Sequence, residues 1–109
     1  MSALDGVDFH VSRVDGEHEV VVSVYGEVDL STAPRLLDVL SGALEGDGKV
    51  IVDLAGMGFI DSQGIRVLAQ AYKATQPGCA DRLVLRSPRP QARTVLEITG
   101  LDKLLTIEG

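Results

Sequence analysis

The chain opens with two segments whose apolar and polar positions suit β-strands. In segment 7–14 apolar and polar residues alternate, which is the period of a half-buried strand. Segment 20–28 is rich in β-branched residues, a composition typical of strands. Asp15 and Gly16 lie between them, and this dipeptide is favoured in hairpin turns because both residues tolerate positive φ. The pattern predicts an antiparallel hairpin.

After residue 30 the pattern changes to the period of a helix. Apolar residues follow the i, i+3, i+4, i+7 spacing at Ala33, Leu36, Leu37, Leu40, Ala43 and Leu44. Ser31 or Thr32 is predicted to cap the N-terminus of this helix with its hydroxyl. Pro34 falls in the first turn, where its missing N–H costs nothing.

The middle of the chain predicts a buried strand, a loop and a second helix. Residues 50–52 form a continuous β-branched run, which suits a strand buried on both faces of a sheet. Segment 57–64, MGFIDSQG, is flanked by glycines and is predicted to be a loop. The helix that follows is predicted to end at Pro77-Gly78, and its apolar face comprises Ile65, Leu68, Ala69 and Tyr72.

The last third repeats the alternation of strand and helix. Residues 83–85 predict another buried strand, and Ser87 is predicted to cap a third helix with apolar residues at Val95, Leu96 and Thr99. Gly100 suits the left-handed position after that helix. Residues 104–107 are predicted to close the chain as a short strand or a docked extension.

The order ββαβαβα(β) predicts an α/β fold. Strands that alternate with helices pair in parallel through right-handed crossovers, while the opening hairpin makes the sheet mixed. We therefore expect one domain over residues 1–109, with a mixed, mostly parallel β-sheet, an N-terminal β-hairpin and helices packed on the sheet. The length of 109 residues and the apolar content of 45% suffice for one core.

Charge and composition exclude several classes of function. The net charge is −6, and nucleic-acid binding depends on an excess of Lys and Arg, so no nucleic-acid partner is expected. No apolar run approaches the roughly 20 residues of a membrane span, and the start of the chain lacks the pattern of a secretory signal. Cys79 is the only cysteine, which precludes an internal disulfide and fits a cytoplasmic protein. The arginines of the last third are expected to be solvated, with a local basic face as the alternative, namely Arg82, Arg86, Arg89 and Arg93.

The segment Asp61-Ser62-Gln63-Gly64 is the candidate site. A loop that leaves a central strand and opens a helix is where α/β domains usually place function. Ser62 is predicted at or just before the N-terminus of the second helix, where free backbone N–H groups would hold a phosphate. From these four residues alone, a purely structural interpretation stays open: Ser62 as the cap, Asp61 as a helix-start carboxylate and Gly64 as a packing residue.

An enzyme is not predicted, and neither a metal nor a cofactor is expected. Ser62 lacks the G-x-S-x-G context of hydrolases, and both histidines, His10 and His18, belong to the hairpin. The chain has no phosphate-binding G-x-x-x-x-G-K-[ST] motif and no metal-ligand spacing. Asp53 ends the predicted third strand as in phospho-aspartate receivers, but the paired acidic residues and the late lysine of a receiver are missing.

The order and spacing of several short motifs resemble the anti-sigma-factor-antagonist (STAS) family of bacteria. The resemblance extends from about Val20 to about Leu105. It rests on Gly26-Glu27-Val28-Asp29-Leu30, Ser31-Thr32-Ala33, Val50-Ile51-Val52-Asp53-Leu54, Phe59-Ile60-Asp61-Ser62-Gln63-Gly64-Ile65 and the closing LEITGLDKLL from Leu96 to Leu105. Each motif is weak alone, and their combination is fairly specific.

The resemblance implies a protein that switches partners through phosphorylation. Ser62 matches the serine that an anti-sigma factor with serine kinase activity phosphorylates, and Asp29 would lie near it. The unphosphorylated form would bind that anti-sigma factor and free the sigma factor. Phosphorylation would break this complex, and a PP2C-type phosphatase would restore the complex. Gln63 departs from the family, since many members have a second Ser or Thr there. The alternative is an unphosphorylated scaffold subunit of a lipid-transport or other signalling complex.

The expected partner surface covers the candidate loop and the start of the first helix. Its predicted residues are Asp29, Ser31, Thr32, Met57, Phe59, Ile60, Asp61, Gln63 and Gly64. At least some of Met57, Phe59 and Ile60 are expected to face outward as an apolar patch, and the alternative places all three in the core. The sequence assigns no oligomeric state.

Overall fold

The computed structural model describes residues 9–75 and 80–109. Its elements are β1 (His10–Asp15), β2 (Glu19–Val28), α1 (Ala33–Leu44), β3 (Lys49–Ile60), α2 (Ser62–Ala74), a 3₁₀ turn (Ala80–Arg82), β4 (Leu83–Arg86), α3 (Pro90–Thr99), α4 (Leu101–Leu104) and β5 (Thr106–Glu108). The predictions for residues 7–8, Pro77-Gly78 and Cys79 lie outside the described residues. No helix of the described part is long and apolar enough to cross a membrane.

The five strands form one mixed sheet in the order β1-β2-β3-β4-β5. β1 and β2 pair antiparallel, and the three other pairs are parallel. The predicted α/β class, the N-terminal hairpin and the mostly parallel sheet are therefore confirmed. The hairpin turn differs from the prediction, because Asp15 pairs with Val20 and Gly16 donates its N–H to the Glu19 carbonyl at 2.7 Å. Among the described residues, neither Asp15 nor Gly16 has a positive φ.

One hydrophobic core joins the helices to the sheet. Alternate residues of the central strands point into it, as the pleat requires, and meet apolar residues of α1, α2 and α3. Its fully buried members include Val22, Val24, Leu36, Leu40, Val50, Val52, Leu68, Leu83, Leu85 and Leu96. The intervening Ile51 is also buried, which confirms the prediction of a strand covered on both faces.

β3 is much longer than predicted, and this corrects the loop predicted for 57–64. Its pairing with β2 continues to Ile60, so the connection to α2 is Asp61 alone. The glycines led to the prediction of a loop, but Gly56 and Gly58 lie within the strand. A Cβ on Gly56 would overlap the Tyr25 ring, and Gly58 is the unpaired residue of a register shift.

The helices also differ in detail from the sequence predictions. The buried face of α2 comprises Gly64, Val67, Leu68 and Ala71, and the predicted Ile65, Ala69 and Tyr72 are only half-buried. Ser87 does not cap α3: its φ is 54° and its N–H donates to the Glu108 carbonyl at 2.8 Å. Gly100 has the predicted left-handed conformation at φ 80°.

Arg82 is a structural residue and not the solvated one that the sequence suggests. Its guanidinium donates to the carbonyl oxygens of Gly48 at 3.0 Å and Gly46 at 2.6 Å, with a longer bond of 3.4 Å to Leu44. These carbonyls follow the C-terminus of α1, where a cation is favourable. Arg82 therefore fixes the turn between α1 and β3.

Candidate functional site

Two loops lie side by side at the carboxyl edge of the parallel strands. Val28 at the end of β2 pairs with Ile60 at the end of β3, and the Asp61 N–H donates to the Val28 carbonyl at 3.1 Å. The segment 29–32 leaves β2 at this point, and Asp61 leaves β3. The carboxyl edge is where open α/β sheets place their binding sites. The structure thus brings the predicted Asp29 loop next to the Ser62 segment.

Ser62 is the first residue of α2, and its cap is Asp61. Asp61 is extended, with φ −111° and ψ −169°, and its carboxylate accepts the N–H groups of Gln63 at 2.8 Å and Gly64 at 3.2 Å. Ser62 is exposed, and its hydroxyl makes no hydrogen bond to the described residues. The interpretation of Ser62 as a helix cap is therefore wrong. The hydroxyl is free to react, while Asp61 already occupies two of the terminal N–H groups.

Gly64 is buried and is not a contact residue, which corrects its place in the predicted partner surface. A Cβ at this position would overlap the Ile60 side chain and would lie 2.8 Å from Cγ1 of Val28. The first turn of α2 therefore rests directly on the ends of β2 and β3. This close approach holds Ser62 at the rim of the sheet.

The predicted apolar patch is only partly at the surface. Met57 and Ile60 are both 1% exposed and belong to the core, so their assignment to the partner surface is wrong. The register shift at Gly58 explains this, since one inserted residue offsets the alternation and lets two residues three positions apart both join the core. Phe59 is 39% exposed, as expected. Leu30 is 73% exposed in the neighbouring loop and was missed, although a leucine among polar loop residues is a usable signal.

The polar groups of the loop 29–32 form hydrogen bonds to one another. The Asp29 carboxylate accepts the N–H of Ser31 at 3.0 Å and of Thr32 at 3.2 Å. The Thr32 hydroxyl accepts the Asp29 N–H at 2.9 Å and donates to the Glu27 carbonyl at 2.8 Å. Thr32 is the residue before α1, but it makes no side-chain cap of the predicted kind. The reciprocal Asp29–Thr32 pair replaces that cap.

The charge of Asp29 is stabilised within this loop. The Ser31 hydroxyl donates to the carboxylate at 2.8 Å and, with the backbone N–H groups of Thr32 and Ser31, holds the pKa of Asp29 below its ordinary value. Asp29 is therefore ionised at neutral pH. Asp29 and Asp61 follow paired strand ends, so the site carries two carboxylates beside the free Ser62 hydroxyl.

A shallow apolar groove of about 170 Å³ lies between α1 and α2, beside Ser62. Its lining comprises Leu30, Ala33, Pro34, Leu37, Gln63, Arg66, Val67 and Gln70. Gln63 thus reaches the surface, as expected. Arg66 was missed by sequence analysis. It is exposed one helical turn after Ser62, a spacing at which two helical residues are neighbours.

No metal site accompanies these residues. The ranges 9–75 and 80–109 hold no group of three or more His, Cys, Asp or Glu side chains that could bind a metal ion. Asp53 lies within β3 and does not end it. Its carboxylate accepts the Ala55 N–H at 3.0 Å.

Comparison with known proteins gives consistent matches along the chain. Residues 11–106 match the family described as "Mlab, STAS domain". The curated anti-sigma-F factor antagonist RsfB of Mycobacterium tuberculosis strain H37Rv is 28% identical over 104 residues, which cover 94% of this chain and 82% of RsfB.

Solved structures of other proteins have the same architecture as this chain. The crystal structure of an anti-sigma factor antagonist from Mycobacterium paratuberculosis superposes with a TM-score of 0.84 at 28% identity, covering 99% of this chain and 90% of that one. Phosphorylated SpoIIAA of Bacillus superposes with a TM-score of 0.66 at 23% identity, covering 91% and 89% of the two chains. At that identity the second likeness concerns the fold alone.

Proposed function

Because the chain belongs to the STAS-domain family of anti-sigma-factor antagonists, we propose that it is itself an antagonist controlled by phosphorylation of Ser62. In this proposal the unphosphorylated form binds an anti-sigma factor with serine kinase activity and so releases the sigma factor. Phosphorylation of Ser62 by that partner dissociates the complex, and a PP2C-type phosphatase restores binding. The protein acts in the cytoplasm as one domain, by binding and without a catalytic residue or cofactor of its own.

The observation that carries the proposal is the position of Ser62. Its hydroxyl is exposed and unbonded within the described residues, while Asp61 takes over the capping role. A serine needed for the helix would instead direct its oxygen to the backbone. The α2 N-terminus also tolerates a phosphate, since the positive end of the helix dipole faces it.

The exposure of the side chains in the structure revises the partner surface that the sequence predicted. It comprises Phe59, Leu30 and the apolar groove beside Ser62, together with Asp29, Ser31, Thr32, Asp61 and Gln63. An apolar contact of this kind excludes water, so a charge within it must lose its hydration. A phosphate on Ser62 would stand beside Asp29 and Asp61, and burying it costs roughly 3–4 kcal/mol, or about two to three orders of magnitude in affinity.

The test is phosphorylation by candidate kinases. The protein is incubated with ATP and each anti-sigma kinase of the same organism, then analysed by intact mass and peptide mapping. One added phosphate on Ser62, absent from Ser62→Ala, is expected. Resistance of this phosphate to hydroxylamine distinguishes a serine ester from an acyl phosphate on Asp53. No phosphate with any candidate would contradict the proposal and favour the unphosphorylated scaffold.

A further inference from the structure

Gln91 forms an unusual contact with the end of β3. β3 pairs with β4 only over Val50–Asp53, and no strand pairs with its segment 54–60 on that side among the described residues. The side-chain amide of Gln91 takes this place. Nε2 donates to the Ile60 carbonyl and Oε1 accepts the Ile60 N–H, both at 3.1 Å. One glutamine thus supplies both hydrogen bonds that a neighbouring strand would give to Ile60.

This contact lies directly before Ser62. The backbone of Ile60 is bonded to Gln91 on α3, and the next N–H, that of Asp61, is bonded to the Val28 carbonyl on β2. The chain is therefore fixed from both sides at the two residues that precede Ser62. Asp61 in turn fixes the first turn of α2 through Gln63 and Gly64.

Resting on the function proposed above, we propose that Gln91 is a positioning residue for phosphoryl transfer to Ser62. Gln91 does not touch the reacting hydroxyl and acts through Ile60 and Asp61. Phosphoryl transfer depends on an in-line approach of the acceptor oxygen to the γ-phosphate. A displacement of about 1 Å costs up to about a hundredfold in rate, even when the binding surface is intact. Fixing the residues before Ser62 supplies that alignment.

The experiment compares two variants of the full chain with a control. Gln91→Met has a similar length and loses both hydrogen bonds, whereas Gln91→Glu keeps the acceptor and sets an oxygen against the Ile60 carbonyl. Glu97→Met on the exposed side of the same helix is the control. Amide hydrogen exchange of Ile60 and Asp61 is measured on the isolated protein. Single-turnover kinetics are measured with ATP and the anti-sigma kinase that phosphorylates the wild type.

We expect faster exchange of the Ile60 N–H in Gln91→Met, which removes its acceptor. In both variants we expect a fall of about 10- to 100-fold in the rate constant for phosphorylation, with an unchanged Kd for the kinase. The control should match the wild type. Wild-type rates in a folded Gln91→Met or Gln91→Glu overturn the positioning role, and so does a loss confined to the Kd, which would make Gln91 a docking residue. A wild type that accepts no phosphate overturns the proposed function itself, and the inference with it.

Discussion

Gly64 and Ile60 approach so closely that the backbone of α2 rests on the end of β3 without room for a methyl group. The contact sets the height of Ser62 above the sheet, because Gly64 lies two residues further along the same helical turn. Both residues are buried, so the fit belongs to the core.

Gly64→Ala is expected to destabilise the protein by about 1–3 kcal/mol, since a buried methyl group must displace Ile60 and Val28. The free energy of unfolding from urea denaturation measures this. Gly42→Ala is the control. It lies within α1, where only the flexible end of Arg13 is near, and should stabilise the helix by about 0.5–1 kcal/mol. Equal stabilities of Gly64→Ala and wild type would contradict the packing.

Ser62→Asp is expected to weaken binding to the anti-sigma factor without loss of stability. A carboxylate at the first position of α2 suits the helix dipole but introduces charge into the partner surface. Calorimetry should show a loss of affinity smaller than that expected for phosphoserine, which is about two to three orders of magnitude because phosphoserine carries more charge. Ser62→Ala should bind as the wild type does. Ser41→Asp on the exposed side of α1 is the control.

A phosphate on Ser62 is expected to pair with Arg66, because an anion four residues before a cation is a favourable helical pair. Such a pair contributes about 0.2–0.5 kcal/mol, which lowers the second pKa of the phosphate by about 0.15–0.4. With phosphoserine incorporated at position 62, ³¹P NMR titration should give a higher pKa in Arg66→Gln. Arg35→Gln, whose arginine stacks on Phe9, should leave it unchanged. Identical pKa values would exclude the pair.

Asp29→Ala is expected to destabilise the protein by about 1 kcal/mol at pH 7, the usual effect of losing a capping side chain. The pKa of Asp29 is lowered in the folded protein, so its stabilisation is complete above the unfolded pKa of about 3.9. It disappears as the pH falls through the lower, folded pKa. Urea unfolding between pH 2.5 and 7 should therefore show the two proteins converging in acid. Asp47→Ala in an exposed turn is the control.

Arg82→Met is expected to lower the free energy of unfolding by about 1.5–3 kcal/mol, the range for hydrogen bonds that involve a charged group. The methionine preserves much of the apolar stem but leaves the Gly46 and Gly48 carbonyls without their donor. Arg89→Met at an exposed position serves as the control. Equal Tm values for Arg82→Met and Arg89→Met in thermal unfolding would contradict the role of Arg82.

The periodicity of the chain sufficed for the order of elements and for the mixed sheet, because strand and helix periods alternate clearly after residue 30. It failed for segment 57–60, where Gly58 and the preceding Gly56 outweighed the signal of a strand. Local pattern also could not choose between Asp61 and Ser62 as the cap, since both side chains are good caps. Because Asp61 caps α2, the Ser62 hydroxyl has no capping role. The interpretation of the site depends on this difference.

Long-range contacts were beyond the sequence for a different reason. Gln91 bonds to Ile60 across 31 positions and Arg82 to Gly48 across 34, and no local pattern predicts such partners. Met57 and Ile60 show the same limit on a smaller scale, since their burial depends on the true length of β3.

The sheet order follows the chain order, so each strand of the growing chain can add beside the one made just before it. Ser62 follows β2 and β3 in this order, at the start of α2. Gln91, to which we assign the positioning of this serine, lies 29 residues later in the chain, on α3. In the proposed function, the phosphoacceptor and the side chain that positions it therefore come together only once α3 has packed beside the end of β3.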